Sequence, residues 1–347
     1  MEAALHAPAS TDGFRPPAWL SGGHRQTLAG YGLRRHLRFT PPSEDLVVDA
    51  APGVPLLLRA SWQPGSREER PALLIVHGLG GSDGSSYVIS TALFAHARGW
   101  HVIRMNMRGS GDGEALCPLL YNAGLDSDLL AAVAAVSWRV PRLAVVGFSL
   151  GGNLALLMLG RKRDRVPKAL FAAAAVSAPV DLATCAGALE APGNGLYQRY
   201  FMRMLTGAYR RRHAARPDLF AAGRELGLRT VREYDDRITA PFGGYDGAAQ
   251  YYERSSAGPW LAAIDRPTLL LAAADDPMIP AESVARWPCS PAVTREIVPT
   301  GGHVGFVARA LAPGWFWAPQ RALAFLERHA TLPALHPHAD PGLHSQP

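Results

Sequence analysis

Cysteine is scarce in this chain. Three cysteines (Cys117, Cys185, Cys289) are scattered over 347 residues, with no CxxC pair. A disulfide framework or a thiolate metal site lacks the ligands it needs, and the usage fits a reducing cytosol. Long apolar runs are missing as well. The best stretch, Leu143 to Leu159, is broken by Ser149, Gly151, Gly152 and Asn153, which argues against a bilayer span. The start, MEAALHAPASTDGF, has no basic segment leading into an apolar one, so a secretory signal is not expected and a cytoplasmic protein is. There is no P-loop lysine and no HExxH, so phosphate and metal chemistry have no anchor, and neither cofactor nor metal is expected. Lysine is nearly absent: of 35 basic residues only Lys162 and Lys168 are lysines, and the net charge is +6. The arginines are spread among acids, and no basic tract is interleaved with stacking aromatics. Nucleic-acid binding is therefore not expected.

What the chain does have is apolar residues, 48% against 18% charged, enough for a substantial core. A hairpin is predicted first, DLVVDA and VPLLLRASW around Ala51–Gly53. Apolar runs then alternate with helical patterns: PALLIVHG, WHVIRMN, RLAVVGF, KALFAAAAVSAP, RPTLLLAAA and REIVPT read as strands. Strands apolar throughout and separated by helices predict an α/β fold, a mostly parallel sheet with helices on both faces. Residues 14–180 and 264–330 form this core. Residues 181–263 break the alternation and read as an inserted helical cap, while 1–13 and 331–347 read as disordered ends. Within the cap, spacings of three and four place many of Tyr197, Tyr200, Phe201, Met204, Leu205 and Tyr209 on one helical face. Arg199, Arg203 and Arg210 to Arg212 are expected in solvent around it.

In such sheets reactive groups stand on loops at the carboxyl ends of strands. Gly147-Phe148-Ser149-Leu150-Gly151 matches G-x-S-x-G. With 35 glycines in the chain the pattern alone is weak, but its context, strand before and helix after, is that of a nucleophile elbow. A serine needs a base, and a neutral imidazole needs an orienting carboxylate. Downstream, Asp275 and Asp276 end one strand and His303 sits on the glycine turn after the next, giving the order serine, acid, histidine. Either aspartate fits, the other being free to cap the following helix. Backbone N–H groups of Leu150 and Leu79 would complete an oxyanion hole, with His77 structural. The sequence GLGGSD after a strand is not a dinucleotide loop, because Asp83 stands where a third glycine is needed.

Motifs beyond the elbow carry a wider resemblance, from Phe14 to about Glu327. FRPPAWLSGGHRQT, MNMRGSGDG and YDDRITAPFGGYDGAAQYYERSS resemble segments of the YheT-like α/β-hydrolases, the group related to ABHD1, ABHD2 and ABHD3. YNAG, with Asn122 and Ala123, departs from the family's Y-H-S-G, and Ser110 replaces a common cysteine. The resemblance implies an α/β-hydrolase fold with an insertion cap. It favours Asp276 as the acid, which in similar proteins lies a few residues before a proline such as Pro280. It also implies a serine esterase acting on short- to medium-chain acyl or lipid esters. The alternatives are acyl transfer on the same three residues, or a non-catalytic hydrolase fold that binds a lipid or a partner. A small-molecule ester or lipid is the expected partner, with peripheral contact at an inner membrane face through the cap arginines.

Overall fold

The computed structural model describes residues 13–34, 36–308 and 316–330; residues 1–12 and 331–347, expected as loose ends, lie outside the described residues. Eight strands form one sheet: β1 (Glu44–Ala51), β2 (Val54–Ser61), β3 (Ala72–Val76), β4 (His101–Met105), β5 (Leu143–Phe148), β6 (Leu170–Val176), β7 (Thr268–Ala273) and β8 (Val293–Val298). Their order is β1-β2-β4-β3-β5-β6-β7-β8, and β2 alone runs against the rest. The hairpin turn falls at Gly53, whose φ of 73° suits glycine. β3, β5, β6 and β7 are buried along their whole length, whereas the edge strand β1 alternates in exposure. That contrast is why the central strands read as unbroken apolar runs.

Helices α1 (Gly23–Arg34), α2 (Ser86–Ala97), α3 (Asp126–Ser137) and α4 (Leu150–Arg161) precede β6. α2 packs its Val88, Ala92 and Phe94 on one face of the sheet, together with the last helix described below, and α3 and α4 pack on the other. Asp126 and Asp128 at the start of α3 do not cap it. They take bidentate pairs from Arg161 (2.9 and 2.7 Å) and Arg108 (2.7 and 2.6 Å). Asp83 likewise carries no ligand role; it pairs with Arg59 at 3.1 Å and Arg104 at 3.5 Å.

Between β6 and β7 lie α5 (Leu182–Glu190), α6 (Gly195–Ala215), α7 (Val231–Tyr234) and α8 (Ala248–Ser255). A π-helical turn, Asp235–Thr239, follows α7 directly. α9 (Ala281–Ala285) follows β7, and α10 (Trp317–Ala330) is the last described helix. Buried Asn153 on α4 ties this α5–α8 segment to the core: its amide donates to Ala123 O (3.1 Å) and Ser255 O (2.8 Å) and accepts from Ala257 N (3.0 Å). One expectation for α6 fails. Arg212 is not in solvent; it is 2% exposed, with its guanidinium on the carbonyls of Gly109, Leu119 and Ala208. The carbonyls exposed by the irregular backbone before α3 supply what water would otherwise give it. Among the described residues no helix is long and apolar enough to cross a membrane.

Candidate active site

β5 ends at Phe148 and α4 begins at Leu150, which leaves Ser149 alone on the turn, at φ 50° and ψ −120°. An L-residue held there costs on the order of 1–3 kcal/mol. The flanking glycines are required by space. A Cβ on Gly147 would collide with Gly151 O, and one on Gly151 would stand 2.5 Å from His77 O. The turn is anchored by Ser149 N–H donating to Val176 O at 2.8 Å.

Ser149, His303 and Asp276 meet in one hydrogen-bonded line. Ser149 Oγ lies 3.0 Å from His303 Nε2, and His303 Nδ1 lies 2.9 Å from Asp276 Oδ2. A carboxylate only accepts, so Nδ1 carries the proton and Nε2 is left to take one from the serine. Asp276 is buried, and its other oxygen accepts the N–H groups of Met278 (2.9 Å) and Ile279 (3.1 Å), which fixes the carboxylate plane. Asp275 neither reaches the histidine nor caps α9, whose first flanking residue is Pro280. It accepts from Gly301 N (2.8 Å), Gly302 N (2.9 Å) and Thr300 Oγ1 (2.5 Å), gripping the glycine turn that carries His303.

The rest of that grip was not foreseen in the sequence. His303 N–H donates to Thr27 Oγ1 (2.8 Å), and the Gln26 amide donates to Leu20 O (2.9 Å) and Val307 O (3.2 Å) while accepting from Val307 N (2.7 Å). The segment GGHRQT on α1 is thus a brace for the histidine loop, and a Cβ on Gly23 would collide with Asp275 O. Ser177, itself at φ 51°, accepts the Val304 N–H (3.2 Å), and Val304 is at φ 56°. Positive φ at Ser149, Ser177 and Val304 concentrates backbone strain around one site. The one signal in the sequence was the GGHRQT motif itself.

Leu150 is the first residue of α4, so its N–H has no acceptor within the helix, and the helix start favours negative charge there. Leu79 lies in the turn closed by Gly81 N–H to Gly78 O (3.1 Å), and among the described residues nothing accepts its N–H. Tyr121 pins this turn by accepting the Gly80 N–H at 2.5 Å; burial pushes its phenol up to about 12. His77 supports the same turn from below. It is fully buried, donates from Nδ1 to Gly78 O (2.7 Å) and accepts the Met107 N–H at Nε2 (3.2 Å). Burial holds it down at about 4, hence neutral. Ser110 Oγ lies 2.9 Å from that Nε2, so this departure from the family pattern serves the turn's support.

Ser149 and His303 border two cavities. The inner one, about 140 Å³, is walled by Leu182, Leu189, Phe201, Leu205, Val231 and Met278, and Leu79 and Leu150 also border it. The outer cleft, about 650 Å³, runs between α1 and α6 and includes Leu28, Tyr31, Arg38, Leu196, Tyr197 and Tyr200. His24 and Tyr197, stacked and joined at 3.0 Å, bridge its two sides.

The alpha/beta hydrolase fold family matches residues 71–310. The YheT protein of Escherichia coli (strain K12), named as an esterase, is 32% identical over 89% of this chain and 91% of its own length. The chain belongs to the α/β-hydrolase fold family, in its YheT-like branch. Within that family it is also similar to the phospholipase ABHD3 of Homo sapiens (27% identity over 87% of this chain and 75% of that one). It is similar too to the monoacylglycerol lipase of Saccharomyces cerevisiae (28%, 78% and 63%). The named activities of these hydrolase relatives are all esterase or lipase activities. Among solved structures, Pyrococcus furiosus esterase Pf2001 shares the fold with a TM-score of 0.54 at 16% identity, covering 84% of this chain and 94% of that one. The 2,6-dihydroxy-pseudo-oxynicotine hydrolase does so with a TM-score of 0.57 at 16% identity, covering 84% and 69%.

Proposed function

We propose that this protein hydrolyses carboxylic esters through an acyl-enzyme on Ser149. The observation that carries the reading is the line from Ser149 Oγ through His303 to Asp276, at 3.0 and 2.9 Å. His303 takes the serine proton as Oγ attacks the carbonyl, and Asp276 steadies the imidazolium that results. The N–H groups of Leu150 and Leu79 hold the oxyanion. His303 then protonates the leaving alcohol and later activates water, which releases the acid and restores the serine.

Residues 181–263 act as the cap and divide the substrate. Leu79 borders both cavities, whereas Leu150 borders the inner one and not the outer, and Val304, beside His303, the outer and not the inner. The acyl group therefore enters the inner cavity, on the oxyanion side, and the alcohol leaves through the outer cleft on the histidine side. A cavity of about 140 Å³ is close to the roughly 150 Å³ that accepts a benzene ring, which suits acyl groups of about six carbons. The cleft mouth exposes Leu28, Tyr31, Leu196 and Tyr200 and includes Arg38 but no acid. This composition fits peripheral contact with an anionic membrane. The width of the outer cleft also favours a second reading on the same residues, acyl transfer to a bulky alcohol in place of water. Ester products formed on adding such an alcohol would reveal it.

A fluorophosphonate probe is expected to label one residue, Ser149. Ser149→Ala is expected to abolish labelling and to cut ester turnover by several orders of magnitude. Labelling that survives the substitution overturns the assignment.

A further inference from the structure

The wall of the inner cavity holds a charged group that ester hydrolysis does not use. Of the residues around this cavity Asp235 is the one carboxylic acid and Arg212 the one permanent cation. The two charges are handled differently. Arg212 is absorbed by the carbonyls of Gly109, Leu119 and Ala208, with Glu114 at 4.0 Å. Asp235 is buried and takes the Tyr252 hydroxyl at 2.8 Å, with Thr239 as a second donor. Among the described residues it has no ion-pair partner. Arg232, the cation whose charge acts on it, is paired with Glu190 at 3.2 Å. Two donors leave part of the acceptor capacity of a carboxylate unused.

Its backbone is irregular as well. Asp235 opens the π-helical turn Asp235–Thr239 between α7 and the following helical turn, and such turns recur at functional sites. A buried carboxylate without a counter-ion is costly to keep. Burial pushes Asp235 up to about 6, so it is ionised at neutral pH and neutral only below that range.

We propose that the wall of the inner cavity around Asp235 is a recognition subsite in which Asp235 accepts a hydrogen bond from a hydroxyl group carried by the substrate's acyl chain. The proposal rests on the reading above that the acyl group occupies this cavity. Tyr121, Tyr234, Tyr251 and Tyr252 share the wall. Tyr251 accepts the Ala123 N–H at 2.9 Å and Tyr234 donates to Leu205 O at 3.3 Å; on this wall Asp235 is the one charged acceptor, and so the strongest. Tyr252 and Thr239 already give this carboxylate neutral hydroxyl donors, and a third of the same kind brings no further charge into a wall that is otherwise largely apolar. Asp236 and Arg237, the other charged groups of the turn, are engaged elsewhere, with Ala248 N (2.9 Å) and Leu226 O (3.1 Å).

Binding to Ser149→Ala protein tests this without turnover. Methyl 6-hydroxyhexanoate, methyl 8-hydroxyoctanoate, methyl 6-aminohexanoate and the alkyl control methyl heptanoate are titrated by ligand-observed NMR at pH 7.5. One hydroxy ester is expected to bind about tenfold more tightly than methyl heptanoate, the size of a hydrogen bond to a charged group. Adding Asp235→Asn should reduce that preference to twofold or less. With Asp235 intact, the same preference should shrink as the pH falls from 7.5 to 5, which needs no second variant. No preference for a hydroxy ester, a preference unchanged by Asp235→Asn or by pH, or tightest binding of the amino ester each overturns the proposal. The first two would leave Asp235 as a structural tie between the turn and α8. Failure of wild type to hydrolyse any ester while the binding preference stands would strike the esterase reading alone.

Discussion

Asp275 and Asp276 are neighbours with the same charge, yet replacing each by asparagine should do different things. In Asp276→Asn the amide keeps one oxygen for the Met278 and Ile279 N–H groups, now at 2.9 and 3.1 Å, so the loop and the fold survive. The other position becomes an NH₂ facing His303 Nδ1 at the present 2.9 Å. Two donors cannot face each other, so the imidazole moves its proton to Nε2, where the serine needs an acceptor. The carboxylate that steadies the imidazolium is also lost. The expected fall in kcat is roughly 10³- to 10⁴-fold, with melting temperature close to wild type. In Asp275→Asn one amide oxygen can still accept from Gly301 and Gly302, now at 2.8 and 2.9 Å. Those bonds lose their charge assistance, about 1 kcal/mol each. Stability should fall by about 2 kcal/mol and kcat by about tenfold, through a looser His303 turn. Steady-state kinetics on an aryl ester together with urea unfolding separate the two patterns. Equal losses of kcat, or a larger loss for Asp275→Asn, would refute the reasoning.

Further outcomes follow from the same geometry. Tyr121→Phe removes the acceptor of the Gly80 N–H; kcat should drop about fivefold with KM nearly unchanged, as a hydrogen bond of about 1 kcal/mol implies. A trifluoromethyl ketone should lose affinity in parallel, and a change in KM alone would count against this role. Phe201→Asp and Met204→Asp put charge into the inner cavity and should cut turnover of hexanoyl esters at least tenfold more than acetyl esters, since each buried CH₂ contributes roughly 0.8 kcal/mol. Equal losses with folding intact would remove the acyl role. Two buried groups should oppose each other in pH-dependent stability. His77, held at about 4, contributes about 3 kcal/mol that is complete above pH 6.5 and lost as pH falls towards 4. Asp235, held at about 6, costs about 3 kcal/mol that develops as pH rises from 4 to 6. The stability gap between Asp235→Asn and wild type, read from urea unfolding, should therefore widen from pH 4 to 6.5, and a constant gap would be inconsistent with it.

The strands were legible because their signal is local: a central parallel strand is apolar at every position, and ALLIV or LAVVGF says so unaided. The elbow was legible from its pattern, a glycine two residues either side of Ser149 between a strand and a helix, although the clash that demands Gly151 is with the distant His77 backbone. Chain order then gave the acid and the base. Which aspartate faces His303, and what the other holds, is a matter of side-chain direction alone. Adjacent residues in a loop share every local property, and only the fold points one at His303 and the other at Gly301 and Gly302. The brace from Gln26 and Thr27 spans more than 270 residues, so no periodicity announces it. Arg212 misled for the same reason: helical spacing put it among solvated arginines, while carbonyls from a distant loop made its burial affordable. The sequence by itself determined the strands, the elbow and the candidate acid and base, because apolar runs, a glycine-flanked serine and loops at strand ends are each visible within a few residues. Only the tertiary structure decided the two cavities that Ser149 borders and the carboxylate in the wall of one, because walls and charges there come from segments that meet only when the chain is packed.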